Sequence, residues 1–277
     1  MTNILAAIRA LLFAVWSIPL VSAQIIVLMF TRGPAAYKIP RLWHTGLCVI
    51  FGMQVRVVGS PMDPHKTPVM FISNHVSYLD ILVMGTVLEA SFVAKIDVRK
   101  WPLFGFLSLL QQTAFISRSP KDALREKNSL QSYLKRGQSI ILFPEGTTDN
   151  GRDILPFKSS LFSLAFEHEL TNGTLRIQPF TLRTLPSGHT DQAKIVARDH
   201  YPWPFDDETP MIVHLWRFAS GRGCTLELVF HQPIDPKQYT DRKVLCDDVR
   251  NMVVRGLETG HSQPIPTLPI PPERTPS

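Results

Sequence analysis

Residues 68–90 read PVMFISNHVSYLDILVMGTVLEA. The first six have strand composition, and the run from Asp80 reads as a helix with its acid in the first turn. Between these two apolar runs lie Asn74, His75 and Asp80. The alternation continues downstream, with strands expected at 91–95, 113–118, 139–144, 175–182 and 224–230. Helices are expected at 101–112, 119–137, 155–170 and 241–258. The 119–137 helix has Ser119 as cap, Pro120 at its first position and Gly137 as its stop. Several strands are continuous apolar runs, the mark of strands covered on both faces. The expected fold is α/β, a mostly parallel or mixed sheet flanked by helices. No internal repeat is visible, and the weakly periodic stretch from 184 to 222 reads as a long functional excursion.

The N-terminus has a different character. Between Arg9 and Thr31 stands ALLFAVWSIPLVSAQIIVLMF, without one charged residue. Its length suits a membrane-spanning helix, and such helices tolerate a kink at a residue like Pro19. A second apolar stretch, 42–55, is too short to span and suits an interfacial or re-entrant segment. Val21-Ser22-Ala23 resembles a signal-peptidase site, but QIIVLMF continues the apolar run past it. Arg32, Lys38, Arg41 and Arg56 follow the long run, so the positive-inside bias places the rest of the chain in the cytoplasm. The expected organisation is a membrane anchor over 1–57, a catalytic domain over 58–260 and a Pro-rich disordered tail over 261–277.

Composition agrees with a lipid-facing protein. Of 277 residues, 44% are hydrophobic and only 19% charged, with a net charge of +6. A mild positive balance favours anionic partners such as phospholipid headgroups or an acidic carrier protein. No Lys/Arg block is dense enough to favour nucleic acid. Cys48, Cys224 and Cys246 lack paired spacing, which argues against a zinc site or a disulfide framework. His44, His65, His168, His189, His200, His214, His231 and His261 show no ligand spacing and read as surface or core.

Ligand sites in open α/β sheets gather at the carboxyl ends of strands. Three polar clusters stand there: Asn74-His75…Asp80, Ser117-Arg118 and Glu145-Gly146-Thr147. On one continuous helix, residues five apart point about 140° from one another. With His75 in a loop and Asp80 in the first helical turn, the loop can fold back and let Asp80 accept from one imidazole nitrogen. That fixes the tautomer and leaves the other nitrogen as a general base. Arg118 suits a phosphate or carboxylate. In FPEGT, a rigid proline, an acid, a glycine for close approach and a hydroxyl share one turn.

These blocks carry a resemblance. NHVSYLD is similar to the NHxxxxD motif of the glycerolipid acyltransferase family, the one that contains 1-acylglycerol-3-phosphate acyltransferase. AFISR resembles its second block, LFPEGT its third and IQPFTL its fourth, in the family's order across residues 68–182. The resemblance implies transfer of a fatty acyl group from a thioester, on coenzyme A or acyl carrier protein, to a lysolipid hydroxyl. It implies a bacterial inner-membrane enzyme with its catalytic domain in the cytoplasm, and no metal or redox cofactor. Carried over by position, His75 is the general base and Asp80 orients it. Asn74, Arg118, Glu145, Gly146 and Thr147 would shape the acceptor pocket, with Pro179 in the acyl or acceptor channel. The acceptor expected first is 1-acylglycerol-3-phosphate, which would give phosphatidic acid.

Two departures stand out. Gln112 replaces a common Gly of the second block, and Thr148 followed by Asp149 replaces an Arg that often follows FPEGT. Lys95 and Lys158 are candidates to restore the lost cation. FPEGTTDNG with PFKSSLF also resembles bacterial enzymes that acylate lyso-ornithine lipid, whose headgroup has no phosphate, and this is the alternative acceptor. A lysophospholipid hydrolase and a non-catalytic lipid-binding protein are remoter alternatives. The first lacks a GxSxG elbow here, and the second has no need of both His75 and Asp80.

Overall fold

A computed structural model describes residues 2–117, 123–166, 173–185, 200–204 and 208–258. Seven strands form one sheet: β1 (Gln54–Val58), β2 (Val69–Ile72), β3 (Ser91–Lys95), β4 (Ala114–Ile116), β5 (Ile140–Leu142), β6 (Arg176–Leu185) and β7 (Thr225–Phe230). Their order is 1-7-6-2-5-3-4. Neighbours are parallel except β6 and β7, which pair antiparallel, so β1 and β7 run against the other five. The expected mixed α/β sheet is therefore the fold.

The helices are α1 (Thr2–Phe30), α2 (Lys38–Phe51), α3 (Asp80–Gly85), α4 (Phe104–Leu110), α5 (Ala123–Lys135), α6 (Met211–Ser220) and α7 (Arg242–Glu258). Alternate side chains of the central strands feed two cores. Val69 and Phe71 of β2 and Ile141 of β5 pack with Leu47, Phe51 and Val83 on one face. Met70, Ile72, Ile140 and Leu142 pack with Leu130, Leu134 and Val249 on the other. Period-two alternation turns one apolar strand into two buried surfaces, which is why these strands read as unbroken apolar runs.

Two regions differ from the sequence expectation. β1 runs across the expected boundary at 57/58, because α2 stops at Gly52 in the left-handed region and the chain enters the sheet beside β7. The helix expected at 155–170 is a 3-10 segment, Ser159–Phe166, with 167–170 outside the described residues. Residues 155–158 are a loop instead of its first turn, with the Leu155 N–H donating to Glu145 Oε2 at 2.8 Å and the Lys158 N–H to the Pro144 carbonyl at 2.9 Å. Ser119 and Pro120, the expected cap of α5, and the tail at 261–277 lie outside the described residues.

α1 is long and apolar enough to cross a membrane by length and composition. It is nevertheless docked along its length. The Arg9 guanidinium donates to the carbonyls of Ala219 and Gly221, Trp16 Nε1 to the Trp43 carbonyl, and Gln24 Nε2 to the carbonyls of Ala36 and Leu110. From Arg9 to Gln24 is a helical span of about 22 Å at ~1.5 Å per residue. Gly46 makes the α1–α2 approach possible, because a Cβ there would fall inside the Trp16 ring. The buried stripe of α1 is narrow, and the rest of its surface is apolar and exposed.

Phe71 is fully buried at the centre of the sheet and meets Phe180 edge to face at 6.5 Å. Phe71→Ala is expected to cost about 3–5 kcal/mol, read as a lowered denaturation midpoint in detergent.

Candidate active site

The site forms where β2 and β5 end side by side. Ile72 and Leu142 are register partners, and the Ser73 N–H donates to the Leu142 carbonyl at 3.2 Å. The chain then leaves both strands as loops that touch, the Asp149 N–H donating to the His75 carbonyl at 3.1 Å.

His75 lies in the first loop and Asp80 opens α3, the arrangement in which the loop can fold back. His75 Nδ1 and Asp80 Oδ2 are 2.8 Å apart. Asp80 is fully buried, and three further donors meet it: the N–H groups of Val76 and Ser77 on Oδ2, and the Tyr201 hydroxyl on Oδ1 at 2.7 Å. Because this carboxylate is ringed by donors, the imidazole meets it with an N–H, and Nε2 keeps its lone pair. The ring stacks on Phe143, with centroids 4.0 Å apart and planes 13° apart. Its side chain is 19% exposed, enough for Nε2 to meet a substrate hydroxyl.

Glu145 follows β5 and is buried. Its Oε1 accepts the His75 N–H at 2.7 Å and its Oε2 the Leu155 N–H. It thus ties the catalytic loop to the segment after FPEGT. Burial pushes its carboxyl up to about 7, against the downward pull of the two N–H donors, and the charges of Asp149 and Asp80 push the same way. Gly146 has φ of +74°, where L side chains are strained, and a Cβ there would meet Lys158 Nζ. Lys158 therefore lies across the turn. Thr147 is partly exposed, its hydroxyl 3.5 Å from the Thr148 carbonyl.

The remaining expected residues are placed differently. Asn74 is buried and bracketed to β6, donating to the Leu182 carbonyl at 2.9 Å and accepting the Leu182 N–H at 2.8 Å. Lys95, at the end of β3, pairs with Asp97 at 2.8 Å on the surface. Pro179 is buried within β6, opposite Ile72 at the last pair of the β2 ladder and one residue before the β7 ladder begins. Its carbonyl accepts the His231 N–H at 3.0 Å on the edge away from β2, so the β2 ladder asks no N–H of this residue. Arg118 lies outside the described residues, two positions beyond the end of β4.

Sequence reasoning missed two partners in the long excursion. Tyr201 is fully buried on Asp80, and its hydroxyl is held well above its ordinary value by burial and by that carboxylate, so it stays a donor. His214 of α6 is buried too, and its Nδ1 meets the Tyr78 hydroxyl at 2.9 Å. Nearby, the Trp203 N–H donates to the Val76 carbonyl at 3.0 Å. The one local signal was the aromatic island YPWPF at 201–205. Among the described residues no group of three His, Cys, Asp or Glu stands where it would hold a metal ion.

The raised Glu145 carboxyl has a stability consequence. The native state keeps a proton that the unfolded chain releases near 4.5, so the stability this gives is complete below 4.5 and is lost as pH rises through about 7. The wild type is expected to lose thermal stability more steeply across that window than Glu145→Gln, compared by thermal shift at matched pH.

Comparison with known proteins agrees with this geometry. Residues 54–183 match the family model described as Acyltransferase. A lyso-ornithine lipid O-acyltransferase of Rhizobium meliloti (strain 1021) is 32% identical over 86% of this chain and 80% of its own. A 1-acyl-sn-glycerol-3-phosphate acyltransferase of Neisseria gonorrhoeae is 30% identical over 71% of this chain and 72% of its own. The crystal structure of PlsC, the 1-acyl-sn-glycerophosphate acyltransferase of Thermotoga maritima, shares the fold with a TM-score of 0.65 at 21% identity, over 93% of this chain and 97% of that one. With the His75–Asp80 pair at the end of β2 and relatives of this similarity, the chain belongs to the acyltransferase family and is an O-acyltransferase of the lysolipid type.

Proposed function

We propose that the chain moves a fatty acyl group from an acyl thioester to the free hydroxyl of lyso-ornithine lipid. The observation that carries this reading is Thr148-Asp149, where the family often has an arginine, with Asp149 held against the catalytic loop through the His75 carbonyl. An ornithine headgroup presents an ammonium and a carboxylate in place of a phosphate. Asp149 suits the ammonium, and Lys158, lying across Gly146, suits the carboxylate. Four relatives named lyso-ornithine lipid O-acyltransferase, at 30–34% identity, support the same acceptor.

The second reading is acylation of 1-acylglycerol-3-phosphate to phosphatidic acid. Lys158 favours it, because a cation in the turn also suits a phosphate. Arg118, read from the sequence as a phosphate ligand, and the Thr147 hydroxyl are the further candidates for that phosphate. Lys95 contributes least in either reading, since its ammonium is already paired with Asp97.

The chemistry is the same for both acceptors. Nε2 of His75 takes the proton of the acceptor hydroxyl as its oxygen attacks the thioester carbonyl. Asp80 stabilises the resulting imidazolium. The tetrahedral intermediate expels the thiolate, and the imidazolium returns the proton to sulfur. Acyl-coenzyme A and acyl-carrier protein both supply such a thioester, and neither a metal nor a redox cofactor enters. Pro179 braces β6 against β2 and so fixes the floor of the loop. The basic residues after α1 favour a catalytic domain on the cytoplasmic face of a bacterial inner membrane, with α1 and α2 seated in one leaflet.

The test offers purified protein a labelled acyl thioester with lyso-ornithine lipid and lysophosphatidic acid in parallel. Lyso-ornithine lipid is expected to be acylated faster, and preference for lysophosphatidic acid would sink the first reading. Asp149→Arg is expected to shift the kcat/KM ratio towards the phosphate acceptor, and His75→Ala to lose at least ~10²-fold with either. Tyr201→Phe removes one donor from Asp80 and is expected to lower kcat on the order of tenfold, the worth of a hydrogen bond to a charged group.

A further inference from the structure

α6 has two faces of opposite character. Its inner face is buried: His214, Phe218 and Ala219. Its outer face carries Ile212, 66% exposed, with Val213 at 39% and Trp216 at 44%. These three share one stripe, since residues three and four apart on a helix are neighbours. Arg217 is exposed beside them. Large apolar side chains gathered on one exposed stripe mark an interaction surface.

The stripe is continuous with the exposed face of α1. Trp216 Nε1 donates to Asn3 Oδ1 at 3.3 Å, which seats the indole beside exposed Ile4. Further along α1, Ile8, Leu11 and Val15 are exposed as well. Arg9 fixes the join by donating to the Ala219 and Gly221 carbonyls at the end of α6. An indole at the edge of an apolar face, with a cation next to it, is the composition of a bilayer interface.

The inner face leads to the catalytic loop. His214 Nδ1 meets the Tyr78 hydroxyl, and Nε2 lies 3.2 Å from the Pro202 carbonyl. Pro202 stands between Tyr201, on Asp80, and Trp203, on Val76. Tyr78 lies two residues before Asp80 in the same loop.

We propose that α6 is a lipid-contacting element: Ile212, Val213 and Trp216 enter the same leaflet as α1, and through His214 and residues 201–203 the helix holds the catalytic loop in place at the membrane surface. The occupant is a lipid surface, because the stripe continues an apolar helix face with no charge from Ala10 to Phe30 and ends on arginine and tryptophan.

The test uses the full chain in vesicles of phosphatidylethanolamine and phosphatidylglycerol with brominated acyl chains. Bromine is expected to quench a component of tryptophan fluorescence that Trp216→Phe lacks. Equal quenching in both proteins overturns the proposal, as does quenching of that component by iodide in the water instead. In a second arm, Ile212→Asp/Val213→Asp is expected to lower acylation of a vesicle-borne lysolipid about tenfold, while a short-chain, water-soluble lysolipid is acylated at the wild-type rate. Parallel loss on both acceptors, or loss on neither, overturns it. The second arm rests on the proposed reaction and the quenching arm does not, so the two readings fail separately.

Discussion

The structure depends on one buried charge. A lone carboxylate withdrawn from water costs several kcal/mol. Asp80 is fully buried and avoids that cost by accepting from four donors: the imidazole, two loop N–H groups and the Tyr201 hydroxyl. Each donor constrains something different. The two N–H groups curl the loop back over the start of α3. The imidazole donor fixes the tautomer of His75 and leaves Nε2 as the proton acceptor. The tyrosine draws the excursion, 121 residues later in the chain, onto the catalytic loop. Glu145 repeats the device from the neighbouring strand, holding the main chain at His75 with one oxygen and at Leu155 with the other.

What the sequence made legible was local. A loop histidine and a first-turn aspartate, five apart between two apolar runs, can meet if the loop folds back, and the hydrogen-bonded N–H groups of Val76 and Ser77 are what fold it. The strands were legible because both of their faces are buried. Where a segment answers to distant partners, the reading failed. QVRVV pairs with a strand near the far end of the chain, and Arg56 broke the apolar count that would have marked it. Over 155–158, where a helix was expected to begin, the chain is instead tied back to Glu145 and Pro144, ten or more residues upstream. Strand order, with β7 inserted between β1 and β6, had no local signal at all.

The candidate site divides along the same line. His75, Asp80, Glu145, Gly146 and Lys158 come together because two adjacent parallel strands end at one level. Asn74 was read as a substrate contact from its place in the motif, yet both polar atoms of its amide are taken by the backbone of Leu182. Its observed bonds join the loop to β6, a link no spacing rule reveals. Tyr201 and His214 were hidden for a related reason: their partners, Asp80 and Tyr78, lie more than a hundred residues away.

The same geometry bears on transfer against hydrolysis. A serine hydrolase needs a hydroxyl within reach of the free imidazole nitrogen. Ser77, the serine closest to Asp80 in the chain, is fully buried, and its Oγ accepts the Leu79 N–H at 3.3 Å while its own N–H serves Asp80. It is structure for the loop. With Ser77 committed to the loop, the proposed mechanism takes the attacking oxygen from an acceptor lipid rather than from a serine of this loop. In the membrane seat proposed above, a base stacked on Phe143, with Tyr201 on its Asp80 partner, would meet lipid hydroxyls more often than water. On that proposal, selection of the alcohol over water comes from where the site sits, and the dyad has only to move the proton.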